Sequence, residues 1–149
     1  MSLVDANDKD QFFSDVEAAA KASIWCALAT VHEGEPRVRM VHPTWEGDTL
    51  WIATGPETAK AAQIRANGKV DIQFQVAPED FVHLMVRGDA VVLDDAETKA
   101  RVWDVMDYDL FQFWPEGPSD PNYCVIRVEP QRVELSKMFG TMDKRVWRP

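Results

Sequence analysis

Apolar and polar positions alternate with a period of two in parts of this chain, and other stretches read as helix. Lys69 to Val76 (KVDIQFQV) alternates strictly, with Val70, Ile72, Phe74 and Val76 on one face, the pattern of a strand with one side buried. Pro36 to Trp45 sets Val38, Met40 and His42 against Arg37, Arg39 and Val41, and Glu46-Gly47-Asp48 turns it back onto a partner strand, Thr49 to Thr54. Ser23 to Val31 is apolar and partly β-branched, a buried strand closed by the turn His32 to Glu35. Ala77 to Asp80 is a turn. Phe81 to Leu93 reads as a strand pair or one bent strand with Gly88 at the bend, and Tyr123 to Val133 as a strand running on towards Met138. The tail from Phe139 to Pro149 shows no period.

The helical stretches are Asn7 to Ala22, Glu57 to Ala66 and Ala96 to Val105. The first repeats Phe12, Phe13, Val16 and Ala20 at helical spacing, with Asn7 or Asp8 to cap it. The second follows the break at Gly55-Pro56 and stops at Asn67-Gly68. The third begins behind Asp94-Asp95, whose charge suits a helix N-terminus. The sum is six or seven strands in sequential hairpins, hence antiparallel, with helices after the third strand and before the last. That is a mainly β fold, a barrel with peripheral helices, since closing the sheet removes its edges.

Length and composition narrow the picture. The 149 residues read as one domain, 1–149, with an N-terminal helix. A net charge of −9 argues against non-specific nucleic-acid binding and against anionic membrane surfaces. The N-terminus is acidic and lacks a long apolar run, so the expected location is the cytoplasm. Cys26 and Cys124 each lie inside apolar strand runs, which favours two buried free thiols over a disulfide.

Candidate chemistry concentrates between Pro36 and Ile64. Arg37 and Arg39 share one strand face, with no acid until Glu46. Thr54, Thr58 and Lys60 surround a helix start, where backbone N–H groups are unpaired and the dipole is positive. A phosphate there would meet amides, hydroxyls and a cation together. Spacing alone favours the plainer reading, a Thr58 cap and a solvated Lys60. His32, His42 and His83 show no ligand spacing, so no metal is expected, and no nucleophile, Rossmann or P-loop motif is present. No general acid or base stands out. Tyr108, Phe111, Phe113 and Trp114 crowd one long loop, Met106 to Pro121; it covers its own core, forms a subunit interface or walls a flat ligand.

These pieces in order resemble the FMN-binding split barrel of the pyridoxamine 5′-phosphate oxidase family, in its general stress protein 26 branch. Arg39-Met40-Val41 stands for the family's Arg-Met-Val, Ala53-Thr54 for an aromatic/Thr strand end, Thr58-Ala59-Lys60 for Ser-Arg-Lys, and Gln63-Ile64 for Gln-Ile. Trp114 to Pro121 is similar to the Phe-Pro-x-Gly-Pro-x-Asp-Pro stretch of the stress-protein branch. The resemblance covers Ile24 to Glu134. It implies a homodimer with FMN between subunits and a small-molecule redox substrate. Arg39 and Lys60 would hold the phosphate with Thr54 and Thr58, and Met40, Val41 and Ala53 would line the ribityl chain and ring. His83 and Trp114 would approach the flavin across the interface. Relatives of this fold also bind the deazaflavin F420 or haem, and a non-enzymatic flavin-binding or stress-related module is the other reading. The chain departs from true oxidases at Thr44, where they carry a substrate-binding Lys, at Ala59, where they carry an Arg, and in lacking their C-terminal Arg-x-His. The expectation is therefore a flavin-dependent oxidoreductase, with vitamin B6 oxidation set aside.

Overall fold

The computed structural model describes residues 1–75 and 77–149. Val76, expected to end the alternating run from Lys69, lies outside the described residues. The fold is mainly β, with nine strands among the described residues rather than six or seven. In chain order they are β1 (Ser2–Leu3), β2 (Cys26–His32), β3 (Glu35–Val41), β4 (Thr44–Glu46), β5 (Thr49–Thr54), β6 (Lys69–Phe74), β7 (His83–Leu93), β8 (Cys124–Lys137) and β9 (Met142–Trp147). The helices are α1 (Lys9–Ser23), α2 (Ala59–Ala66) and α3 (Ala96–Val105).

Three differences account for the higher count: one expected strand is split, the tail forms β9, and Ser2–Leu3 forms β1. The run from Pro36 to Trp45 is two strands, because Pro43 lacks an amide hydrogen and the chain leaves the sheet at His42. The aperiodic tail forms β9, which pairs antiparallel with β8 and parallel with β1. Every other pairing is antiparallel, as the hairpins required.

The order is β1-β9-β8-β7-β6-β2-β3, with β5 also on β8 and β4 on β5. β8 is the spine: β7 runs along one side of it, while β5 and β9 divide the other. The sheet does not close. Among the described residues β3 pairs only with β2 and β4 only with β5, so both remain edges. The bend expected at Gly88 is a register shift between Arg87 and Gly88, opposite Pro130 to Arg132. Glycine is required there, because a Cβ would lie 2.7 Å from the Glu129 carbonyl oxygen.

One core fills the curl of the sheet under α1, whose Phe12, Phe13, Val16 and Ala20 are buried as the spacing predicted. The capping expectation fails: Asp8 makes no side-chain cap bond, and a short 3₁₀ turn, Ala6–Asp8, leads into the helix. A second core lies under α3 and the aromatic loop, built from Trp51, Val102, Met106, Leu110, Tyr123 and Val125. Asn67 ends α2 in an extended conformation, not a left-handed one. Gly68 is needed instead for its close approach to β7, where an added Cβ would sit 2.7 Å from the Ala90 carbonyl oxygen. Both cysteines are free and buried; burial pushes the Cys124 thiol up to about 11.

Candidate functional site

The ends of β3 and β5, the start of α2 and the aromatic loop line an open cavity of about 660 Å³. Its polar end is built by a chain of short-range consequences. β5 stops at Gly55, where a Cβ would press to 3.2 Å from the Asn122 carbonyl oxygen. Thr58 then caps α2, its Oγ1 accepting from the Ala61 amide at 3.3 Å and donating to the Gly55 carbonyl at 2.8 Å. Two residues later Lys60 folds back, and its Nζ donates to the buried Thr54 Oγ1 at 3.0 Å.

Arg39 lies behind this corner. Its Nη1 donates to the Leu28 carbonyl at 3.0 Å and to Thr30 Oγ1 at 2.8 Å, and its Nη2 to Gln63 Oε1 at 2.7 Å. Thr30 in turn donates to Gln63 at 2.6 Å, which locks the guanidinium between β2 and α2. Burial draws the pKa of Arg39 below its ordinary value. The Lys60 ammonium is also lowered, first by burial and then by the Arg39 charge. Among the described residues neither cation makes an ion pair.

The opposite walls are apolar and aromatic. Met40 and Val41 come from β3, Ala53 from β5, and Trp25 from the turn before β2. Tyr108, Phe113 and Trp114 come from the loop. The loop is held rather than loose: Trp114 Nε1 donates to the Asn122 carbonyl at 2.6 Å, and the Trp114 ring lies 5.2 Å from that of buried Tyr123. Leu110 anchors it in the second core, while Phe111 and Phe113 remain exposed. Covering its own core and walling a cavity are thus both met in the one loop.

Of the residues singled out in the sequence, Met40, Val41, Ala53, Thr54, Thr58, Lys60 and Trp114 line this one cavity. Arg39 adjoins it without lining it. Two residues are not brought in. His83, at the start of β7, faces Ser136 of β8, with Nδ1 buried and without a partner among the described residues. Arg37 pairs with Glu35 at 3.2 Å on the exposed edge strand, so it forms no second wall for an anion. Thr44 is buried and bonded to Asp107, away from the main cavity. Sequence reasoning missed Trp25, His42 and Gln112 as lining residues. Pro43 was the one available signal for His42, since a strand that ends at a proline turns its last side chains out of the ladder.

Comparison with known proteins places these features in a lineage. Residues 13–137 match the family described as pyridoxamine 5′-phosphate oxidase. The chain is 32% identical to general stress protein 26 of Bacillus subtilis over 111 residues, 73% of this chain and 76% of the relative. A Clostridium acetobutylicum protein related to general stress protein 26 shares its fold with a TM-score of 0.75 at 19% identity, over 93% of this chain and 95% of that one. A pyridoxamine 5′-phosphate oxidase-related, FMN-binding protein of Nostoc punctiforme superposes with a TM-score of 0.68 at 21% identity, over 86% and 83%.

Proposed function

The chain belongs to the pyridoxamine 5′-phosphate oxidase family, and on that premise we propose that it binds FMN in the cavity between β3, β5, α2 and the aromatic loop and acts as a flavin oxidoreductase on a small molecule. The observation that carries this reading is the Lys60–Arg39 corner. Among the described residues two neighbouring, partly desolvated cations have no carboxylate partner, beside a helix N-terminus capped by Thr58. Such an arrangement is unfavourable until an anion joins it, and a phosphate supplies the missing charge. The rest of the cavity fits a flat apolar ring. Its volume lies within the ordinary range for cofactor sites of roughly 300–1,000 Å³, and its walls are aromatic or aliphatic.

Bound there, FMN supplies two-electron chemistry. Lys60 and the α2 amides bind and orient the phosphate, and Arg39 adds charge from behind. Met40, Val41 and Trp114 exclude water from the ring. Thr44, buried and tied to Asp107 where oxidases carry a substrate lysine, supports a substrate other than pyridoxamine phosphate.

A second copy of the chain completes the cavity in this reading. Val38 is 68% exposed, Met40 52%, Trp25 48% and Phe113 61%, all on or near the unpaired edge β3. Apolar side chains so placed fit a subunit interface.

Titration of FMN fluorescence tests the cofactor. Quenching is expected at micromolar protein, weakened roughly tenfold to a hundredfold in Lys60→Ala, the loss of one charge-assisted hydrogen bond of about 1.5–3 kcal/mol. No quenching, or quenching indifferent to Lys60→Ala, overturns the reading. A thermal-shift comparison of FMN, F420 and haem identifies the ligand by which one raises Tm. FMN binding without turnover by any donor would leave a flavin-binding module in place of an enzyme.

A further inference from the structure

Behind the main cavity lies a smaller one of about 250 Å³, between α1, β4 and the residues after α3. One side chain borders both: His42. Its Nε2 lies 3.1 Å from Asp107 Oδ1. Asp107 is itself held, because buried Thr44 Oγ1 donates to the same oxygen at 2.9 Å and accepts from the Asp107 amide at 3.3 Å. The imidazole plane is fixed by Tyr108, stacked with ring centroids 4.0 Å apart and 15° between planes. An imidazole oriented through one nitrogen by an anchored carboxylate, with the other nitrogen left to exchange, is the arrangement of a general acid–base group.

No other lining residue of the main cavity suits that task. Burial pushes the Tyr108 phenol up to about 12. Lys60 is bonded to Thr54 at the phosphate end. The charged groups facing His42 are Asp107, Glu17 and Lys21. The last two pair with each other along α1 at 2.8 Å, on one wall of the small cavity.

We propose that His42, oriented by Asp107, delivers a proton to an oxygen or nitrogen of the redox substrate in the main cavity as that substrate takes two electrons from reduced flavin, and is reprotonated at Nδ1 by solvent. This rests on the flavin reading of that cavity. In the step, the Nδ1–H bond of the imidazolium breaks and its electron pair stays on nitrogen. A new O–H or N–H bond forms on the substrate. The ring is left neutral, with its remaining proton on Nε2, donated to Asp107. The substrate class is a two-electron acceptor that must take up a proton as it is reduced, such as a quinone, nitro or carbonyl compound.

Two measurements test this. Nitrogen-15 NMR of the flavin-free protein is expected to show the neutral His42 ring as the Nε2–H tautomer, with that bias lost in Asp107→Ala. A neutral ring that carries its single proton on Nδ1 in the wild type overturns the assignment. Stopped-flow then follows dithionite-reduced, FMN-loaded protein mixed with a benzoquinone, which needs protons, or with ferricyanide, which needs none. His42→Phe keeps the stack on Tyr108 but carries no proton. It is expected to slow the quinone reaction roughly a hundredfold while ferricyanide and the FMN affinity stay within about threefold, a spread too small to reflect a lost charged contact. Added imidazole should restore part of the quinone rate in His42→Ala. Equal rates with the quinone, or equal losses with both oxidants, remove His42 from the chemistry and leave FMN binding intact. Failure of the wild type to bind FMN is seen before any rate is measured, and removes both readings.

Discussion

Lys60, in the proposed phosphate corner, is an energetic disadvantage to the flavin-free fold. Its ammonium is half-buried, bonds among the described residues to a neutral hydroxyl alone and sits near the Arg39 guanidinium. Replacing it with an apolar side chain of similar length removes the desolvated charge, so Lys60→Met should stabilise the flavin-free protein. A gain of roughly 0.5–1 kcal/mol is expected, in the usual range for relieving such a site, and urea denaturation would measure it. The same variant should lose FMN affinity. Destabilisation on substitution would mean that the site is already neutralised. The pH dependence follows with a definite sign. The folded protein gives up the Lys60 proton below the ordinary value of 10.5, so between that lowered pKa and 10.5 the unfolded chain binds more protons. Stability of the flavin-free wild type should therefore rise with pH across that window, and Lys60→Met should flatten the rise. Little of this was legible beforehand. Thr58 as a cap could be read from spacing, but the lock of Arg39 by Thr30 and Gln63 joins residues far apart in sequence, and no local pattern reports it.

The cavity wall depends on how the loop from Met106 to Pro121 is fastened to α3 and β8. Tyr123 is fully buried, and its hydroxyl donates to the Lys99 carbonyl at 2.9 Å. The Lys99 ammonium returns across the loop, donating to the Asp120 carbonyl at 3.2 Å and pairing with Asp94 at 3.4 Å. Tyr123→Phe should keep the packing with Trp114 and lose one buried hydrogen bond, lowering stability by about 1–2 kcal/mol in chemical denaturation. An unchanged midpoint would show that the loop is held by packing alone.

Two ion pairs dock other elements. Glu46 takes both guanidinium nitrogens of Arg101, tying β4 to α3, and Asp15 takes Arg145, tying α1 to β9. Each carboxyl is held below its ordinary value chiefly by its arginine. Stability from both is therefore present above the ordinary carboxylate range and lost as pH falls through the lowered values. A Glu46→Gln/Asp15→Asn variant should show a shallower acid limb in a pH–stability profile. Elements with one buried face, such as α1 and β6, were legible from period, β5 from its hairpin turn and α3 from the acidic pair before it. β9 was not, because Met142 to Lys144 are polar or exposed and the strand is held by its neighbours β8 and β1 rather than by its own alternation. The same reason hid β1.

The unclosed sheet sets the question of assembly. β3 offers an unpaired edge whose outward residues include Val38 and Met40, where a lone chain would be expected to carry charge against sticking. The cavity lies beside that edge, and Met40 belongs to both. Val38 does not line the cavity, which makes it the position where interface and cofactor contacts can be separated. Val38→Glu would place a carboxylate in the proposed interface, and a buried unpaired charge costs several kcal/mol. The wild type is expected to sediment as a dimer at micromolar concentration and to show a Tm that rises with protein concentration. Val38→Glu should sediment as a monomer and bind FMN more weakly, although no residue of its cavity has changed. A wild type that sediments as a monomer while binding FMN at full strength would show that one chain suffices, and that the exposed apolar edge serves some other contact. A Val38→Glu protein that becomes monomeric yet binds FMN unchanged would place the interface away from the cofactor, and the walls formed by β5, α2 and the aromatic loop would then be the whole site.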